Sequence, residues 1–368
     1  MTSTITGAPT GVAPGQPSPA PEARKKKQGG GLGGYLLVRF LLIFPTIFIL
    51  VSTVFLLMRT TGDPITAALG GRLPADQLAE RVHAAGYDRP LFTQYVEYMG
   101  QIARGDFGHT ISDNRPVTEV LTTYGTATLE LAFYALIVAF AIGIPLGRYA
   151  ASRRDKGPDA GLRIGAVLAY ATPVFFIGIL LKLVFSVWLD WLPVAGRAST
   201  GAEIAMQHDG LQTGFYTIDA ISTGNPQILR DVLEHAVLPA IALGLLTGGI
   251  FLRLVRTNVI GTLSTGYVEA ARSRGVNERR LLRKHAWRPA LVPIITVIGL
   301  QVALMLSGAV LTETTFEWKG LGFQLIQYVK ARDYVAVQGM VVMLAVIVAL
   351  TNFVVDIIAA LVDPRIRF

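Results

Sequence analysis

The chain has 368 residues, 52% of them hydrophobic and only 16% charged, with a mean hydropathy of +0.49, a balance that excludes an ordinary soluble globule. It contains no cysteine, so disulfides, thiolate metal sites and a cysteine nucleophile are excluded as well. A net charge of +8 and a pI near 9.7 would point to nucleic acid in a soluble protein, but in an apolar chain membrane topology accounts for them and no nucleic-acid partner is expected.

Residues 1–34 are rich in Pro, Gly, Ser and Thr, lack apolar periodicity and include the cluster Arg24, Lys25, Lys26 and Lys27. They read as a disordered cytoplasmic tail. The apolar run 35–58 is too long for a signal-peptide core, and Arg59-Thr60-Thr61-Gly62-Asp63-Pro64 offers no small-residue cleavage pattern. It is the first predicted span, because about 20 helical residues cross a hydrocarbon core of roughly 30 Å.

An outer loop, 59–123, follows. Its segment 74–98 places Leu78 and Val82, then Phe92, Tyr95, Val96 and Met99, at helical spacing, which predicts short interfacial helices. Further membrane-length runs lie at 126–146, 164–188, 237–254, 290–311 and 336–361. Lipid offers backbone amides no water, so all six runs are expected to be helices. The loop 190–234 is Gly, Thr and Ser rich around 195–226 and is expected to be partly mobile; 312–335 forms the last outer loop.

Orientation follows from Lys and Arg near the ends of the runs. The tail cluster, Arg148, Arg153, Arg154, Lys156 and Arg163, the nine basic residues of 253–288, and Arg365 and Arg367 fall on one side. Both termini are therefore expected in the cytoplasm, and the chain reads as a multi-pass membrane protein with a transmembrane domain over 35–368.

The cytoplasmic loop 256–288 carries Glu269-Ala270-Ala271-Arg272-Ser273-Arg274-Gly275. The fourth helix is expected to extend into it and break at Gly261, with a short helix resuming near Tyr267. Gly275 then serves as a left-handed cap, Asn277 caps the next element, and 278–284 forms another short basic helix. Arginines alone need no role beyond topology. The ordered motif asks for more.

This order resembles the signature of permease subunits in binding-protein-dependent ABC importers, with Pro289-Ala290-Leu291-Val292-Pro293 at the spacing seen there. With His285, it is most similar to the dipeptide and oligopeptide (and nickel) permease branch. The resemblance runs from about residue 35 to the end. It includes Asp88-Arg89-Pro90-Leu91 with Gln94-Tyr95, Gly105-Asp106-Phe107-Gly108, Pro116-Val117, Gly143-Ile144-Pro145-Leu146-Gly147, Trp191-Leu192-Pro193, His235-Ala236-Val237-Leu238-Pro239 and Asp363-Pro364-Arg365-Ile366-Arg367. The chain departs from the family pattern at Lys319, Val335 and often at Ala359, where the family has Pro, Pro and Tyr. The first two departures lie in the last outer loop and bear on its shape and its contact with a binding protein.

The resemblance implies an all-α polytopic protein with the type I ABC importer permease fold. It implies that Glu269, Ala270, Ala271, Arg272, Ser273, Arg274 and Gly275 form a coupling helix docking on a cytoplasmic ATPase. Arg279 flanks that surface; with Arg280, Arg283 and Lys284 it also reads as topological and lipid-facing charge. The implied partners are a second homologous permease, two ATPase subunits or one fused chain, an extracytoplasmic substrate-binding protein and membrane lipid. The implied substrates are di- and oligopeptides, with nickel, haem or glutathione as alternatives. The implied mechanism is alternating access, with ATP-driven closure of the ATPases drawing the two coupling loops together.

No lysine is followed by Ser or Thr, so the P-loop pattern cannot be written and the chain is not expected to be an enzyme. His83, His109, His208, His235 and His285 are scattered, and neither a metal site nor a cofactor is expected. Lys182 lies deep in the third run, where a charge costs about 2.5–3.5 kcal/mol on insertion scales, making it the candidate for a substrate path. Glu130 and Asp356 read as structural partners. An ion-coupled secondary transporter, the alternative of another class, calls for ionisable relays in several spans, and only Lys182 lies deep.

Overall fold

The computed structural model describes residues 32–60 and 62–362, and over these the fold is all-α, with no strand beyond two isolated bridges. Residues 1–31 of the expected tail and the closing segment 363–368 lie outside the described residues. Helix α1 (Leu32–Thr60) begins slightly before the expected boundary. It is followed by α2 (Pro64–Leu69), whose N-cap Asp63 accepts the Thr66 amide at 2.7 Å, and by α3 (Ala75–Ala84) and α4 (Leu91–Ala103), the two short helices expected in the first outer loop.

The centre is a pair of long helices, α5 (Val117–Ser152) and α10 (Pro226–Leu263). They approach closely because glycine faces glycine or backbone. A Cβ on Gly143 would lie 2.6 Å from Phe251 Cβ and 2.8 Å from the Gly248 oxygen, and one on Gly147 would lie 2.7 Å from Val255 Cβ. In return, a Cβ on Gly244 would lie 2.7 Å from the Ala135 oxygen. Small residues one turn apart permit this packing in lipid, where helices associate by contact rather than by escaping water. Ala127, Leu131, Ala135, Ala139, Leu243 and Phe251 form the buried seam. In α10, 61% of the most apolar window is buried against 22% in α1, which puts α10 at the core and α1 at the periphery.

Between them run α6 (Gly157–Ala171) and α7 (Val174–Leu181), the latter continuing as a π-helical segment, Lys182–Trp188. Here the expectation of one straight span over 164–188 needs correction, because the two pieces meet at 104°. Thr172, preceding Pro173, adopts φ −84° and ψ 132°. The proline ring disfavours helical geometry in the residue before it and supplies no N–H, so the helix must turn.

The Gly- and Thr-rich stretch around 195–226 is folded rather than loose. It forms α8 (Thr200–Asp209) and α9 (Tyr216–Ser222) over a small core of Ala198, Ala202, Met206, Ala220 and Val232. Buried Asp219 ties its turn, accepting from the Thr213 amide (2.8 Å), the Thr213 hydroxyl (2.7 Å) and the Gly214 amide (3.0 Å).

After two short elements, α11 (Gly266–Ser273) and α12 (Glu278–Arg280), come α13 (Trp287–Phe316), α14 (Leu321–Ala331) and α15 (Tyr334–Val362). Among the described residues, α1, α5, α10 and α15 are each long and apolar enough to cross a membrane, and the bent α6–α7 pair makes five. The remaining expected run, 290–311, lies within the 30-residue α13.

Candidate functional site

The loop 256–288 is built from the end of α10, the short helices α11 and α12 and the start of α13. Gly261 does not break α10, which continues to Leu263. The helix ends where hydroxyls compete for its last carbonyls: Ser264 Oγ donates to the Gly261 oxygen (2.9 Å) and Thr265 Oγ1 to the Thr262 oxygen (2.6 Å). Extended Thr265 (ψ 147°) then starts α11.

Helix α11 closes as expected at Gly275, with φ +80°. The Gly275 amide donates to the Arg272 oxygen (2.9 Å) and the Val276 amide to the Ala271 oxygen (3.3 Å), the paired bonds of a Schellman cap, which glycine adopts without Cβ strain. Asn277 caps the next turn, its side chain accepting from the Arg279 amide at 3.0 Å. The expected separate basic helix over 278–284 is instead α12 passing through a π-helical turn, Leu281–Ala286, straight into α13.

The loop is anchored by few residues. Val268, Leu281 and Ala286 are fully buried, beside a cluster of Ala151, Val255, Val259, Ala290 and Ile294. Arg148 lies over the Trp287 ring at 4.6 Å, joining the end of α5 to the start of α13. Everything the motif offers points outward: Glu269, Ala270, Arg272, Ser273, Arg274, Gly275 and Arg279 are exposed, Ala271 is half-buried, and Tyr267 leaves an apolar ring in the open. Glu269 also lines a groove with Arg154 and Arg272. The Arg272 guanidinium is held by Glu278 at 2.5 Å, which raises its pKa further above an already high value and braces the turn from outside.

A bidentate pair stiffens the neighbourhood: Arg256 Nε and Nη2 reach Asp159 at 2.5 and 2.6 Å, fastening the first turn of α6 to the C-terminal part of α10. Nothing near Asp159 in the sequence signals its partner.

Lys182 is far from this loop. Its ammonium donates to the Thr315 carbonyl at 2.8 Å and lies 5.6 Å from the Phe316 ring, at the C-terminal end of α13. Asp356 meets Arg39 at 3.5 Å, the arginine partnership expected of it. Glu130 is a structural partner as well, but of a residue the sequence did not single out: its Oε2 accepts from Arg197 Nη2 at 2.6 Å, and both side chains are nearly inaccessible. Arg197 also donates to the Gly214 carbonyl (2.9 Å) and lies flat on Tyr216 at 3.7 Å.

Beside this pair, the Gly320-Leu321-Gly322 turn packs on buried Glu313, which accepts from the Thr128 hydroxyl (2.6 Å) and the Phe323 amide (2.9 Å). Gly320 has no room for a side chain, since a Cβ there would lie 2.4 Å from the Glu313 carboxyl. The fully buried Asp333 welds the first and last outer loops together, accepting from the Ile111 amide (2.6 Å), the Ser112 amide (2.8 Å) and the Ser112 hydroxyl (2.9 Å). Val335 sits in the first turn of α15 beside this weld. Among the described residues, no group of His, Asp and Glu is arranged to hold a metal ion.

An all-helical, multi-pass bundle that presents a stiff, exposed loop at one end has the organisation of a transporter's membrane component. Residues 143–368 match the family described as the binding-protein-dependent transport system inner membrane component, and the chain belongs to that family. Over 335 residues it is 38% identical to the di/tripeptide transport system permease protein DppB of Pseudomonas aeruginosa, covering 90% of this chain and 98% of that protein. It is 36% identical to the dipeptide transport system permease protein DppB of Escherichia coli K12 with the same coverage, and 32% identical to the glutathione transport system permease protein GsiC of Salmonella choleraesuis, covering 91% and 99%.

Proposed function

We propose that this chain is one half of the translocation pore of an ATP-driven importer of di- and oligopeptides. The observation that carries the reading is the exposed, Schellman-capped helix α11 between two long helices, in a chain whose relatives over nine-tenths of its length include dipeptide permeases. The reading takes α1, α5, the bent α6–α7 pair, α10 and α15 as spans, adds α13 as a sixth, and puts both termini in the cytoplasm. The permease domain begins with α1 and takes in the rest of the membrane bundle.

In this reading the coupling helix inserts into a groove of a separate ATPase subunit. Tyr267 and Ala270 supply close apolar contact and Glu269 and Arg274 supply charge. A rigid loop fits that role, because force on α11 passes through buried Val268 and Leu281 into α10 and α13. A second, homologous permease covers the apolar faces left open on α5 and α13, where Phe133, Ile137, Leu300 and Leu304 are exposed. Two ATPases, or one fused chain, and an extracytoplasmic binding protein complete the assembly. Lys182, only half-buried, is the substrate-path residue to test.

The test is ATP-dependent uptake of a labelled dipeptide into proteoliposomes holding the complete complex. Glu269→Lys should abolish uptake and the ATPase association, and Lys182→Met should lower uptake without affecting association. ATP-independent uptake driven by an ion gradient would replace this reading with a secondary transporter.

A further inference from the structure

A cavity of about 290 Å³ lies away from the α5–α10 seam, between the end of α1, helix α4 and the start of α15. It gathers buried polar atoms that have no partner: Arg59 Nε and Nη1, the Tyr98 hydroxyl, Gln94 Oε1 and Gln338 Nε2. Gln94 and Gln338 are more than nine-tenths buried.

Among the described residues, Nε and Nη1 of Arg59 have no hydrogen-bond partner, and its guanidinium lies against the rings of Phe55 (4.9 Å) and Tyr87 (4.7 Å). The orientation of Gln94 is set by its own donors, since Nε2 gives bonds to the Tyr87 carbonyl (3.0 Å) and the Arg89 carbonyl (2.8 Å). That leaves Oε1 as an acceptor at the cavity. Tyr98 and Gln338 are neighbours that miss bonding geometry with each other. One carboxylate, Glu97, lines the cavity, and Arg89 holds it at 2.7 Å. Arg59 is the cation of the wall: Asp63 acts on it from further away, and among the described residues no carboxylate lies within ion-pair distance of it.

Water could satisfy the hydrogen bonds but would leave this half-buried charge without a counter-ion, and a charge partly withdrawn from water favours a paired anion. The groups present match one chemistry. Arg59, Tyr98 and Gln338 donate to an oxygen anion of the kind guanidinium recognises, and Gln94 accepts from an adjacent N–H.

We propose that this cavity is a binding site for a carboxylate with a neighbouring N–H, the chemistry of a peptide C-terminus. The proposal rests on the importer reading for the side of the membrane it faces, where the carboxylate comes either from a free peptide or from an acidic group of the docked binding protein. It is separate from the coupling loop, and the two can fail independently.

The test uses the full-length protein in detergent, with glycylglycine as probe and its C-terminal amide as control. Glycylglycine should raise the melting temperature of the wild type saturably, the amide should not, and Arg59→Leu should weaken the effect at least tenfold. Arg59→Leu without ligand should melt no lower than wild type, because it removes an unpaired charge and keeps the packing between Phe55 and Tyr87. Gln338→Met, which leaves Arg59 untouched, should weaken the same response at least threefold. If glycylglycine has no effect but Arg59→Leu weakens capture of the binding protein tenfold, the carboxylate is supplied by that protein. Unchanged probe and binding-protein affinities in both variants would overturn the site, whether or not ATP-driven uptake persists.

Discussion

Replacing Glu130 by glutamine should be among the most damaging single changes in the protein. The substitution keeps the shape and an oxygen for the Thr217 amide, which Glu130 Oε1 accepts at 2.8 Å, but removes the charge facing Arg197 at 2.6 Å. The two side chains are 4% and 6% exposed, so solvent cannot take over the role of the missing partner. Breaking one side of a buried pair costs about 3–5 kcal/mol, because the surviving charge is left uncompensated. The Arg272–Glu278 pair on the coupling loop is the natural control: at 43% and 65% exposure, Glu278→Gln should cost under about 1 kcal/mol. The assay is thermal unfolding in detergent followed by tryptophan fluorescence, for which Trp318, 5.5 Å from Arg197, is a local reporter. A double variant, Glu130→Gln with Arg197→Met, should recover part of the loss. Equal, sub-kilocalorie effects of Glu130→Gln and Glu278→Gln would refute the reasoning.

Three further outcomes follow from the same geometry. Gly143→Leu should cost about 3 kcal/mol or prevent folding, since the new side chain meets Phe251 Cβ and a backbone oxygen rather than a movable tip; unfolding and expression in membranes check this. Gly275→Ala should cost about 1–2 kcal/mol of local backbone strain at φ +80°. No neighbour lies within 4 Å of its Cβ position, so faster hydrogen exchange confined to 266–280, with an unchanged global melt, is the expected signature. Asp159→Asn should destabilise the α6–α10 junction by about 1.5–3 kcal/mol and reduce ATP-driven uptake, and an unaltered uptake rate would place the junction outside the coupling path.

Features governed by local chemistry were legible in the chain. Hydropathy located the long helices; the glycine and asparagine caps around α11 follow from φ and side-chain reach over two or three residues. The segment 143–147 was readable as a motif, but the reason for its glycines appeared only when α10 was seen pressed against them. The bend at Thr172 and Pro173 escaped a reading based on hydropathy, although the proline carried a local signal. Gly261 misled because glycine propensity is a weak force beside the packing of Val255 and Val259, while the hydroxyls of Ser264 and Thr265 ended the helix. Arg197 could not have been found: Glu130 lies 67 residues away, and no periodicity links a loop arginine to a helix glutamate. Asp159 with Arg256 and Asp333 with Ser112 are hidden for the same reason.

The central claim, that α11 is where a separate ATPase grips this membrane subunit, is tested most directly by copurification of the ATPase with wild-type protein and with Glu269→Lys, each monitored for an unchanged melt. Retention of the ATPase by the wild type and its loss from the variant is the predicted result. Equal retention by both, with the variant folded and ATP-driven uptake intact, would contradict it.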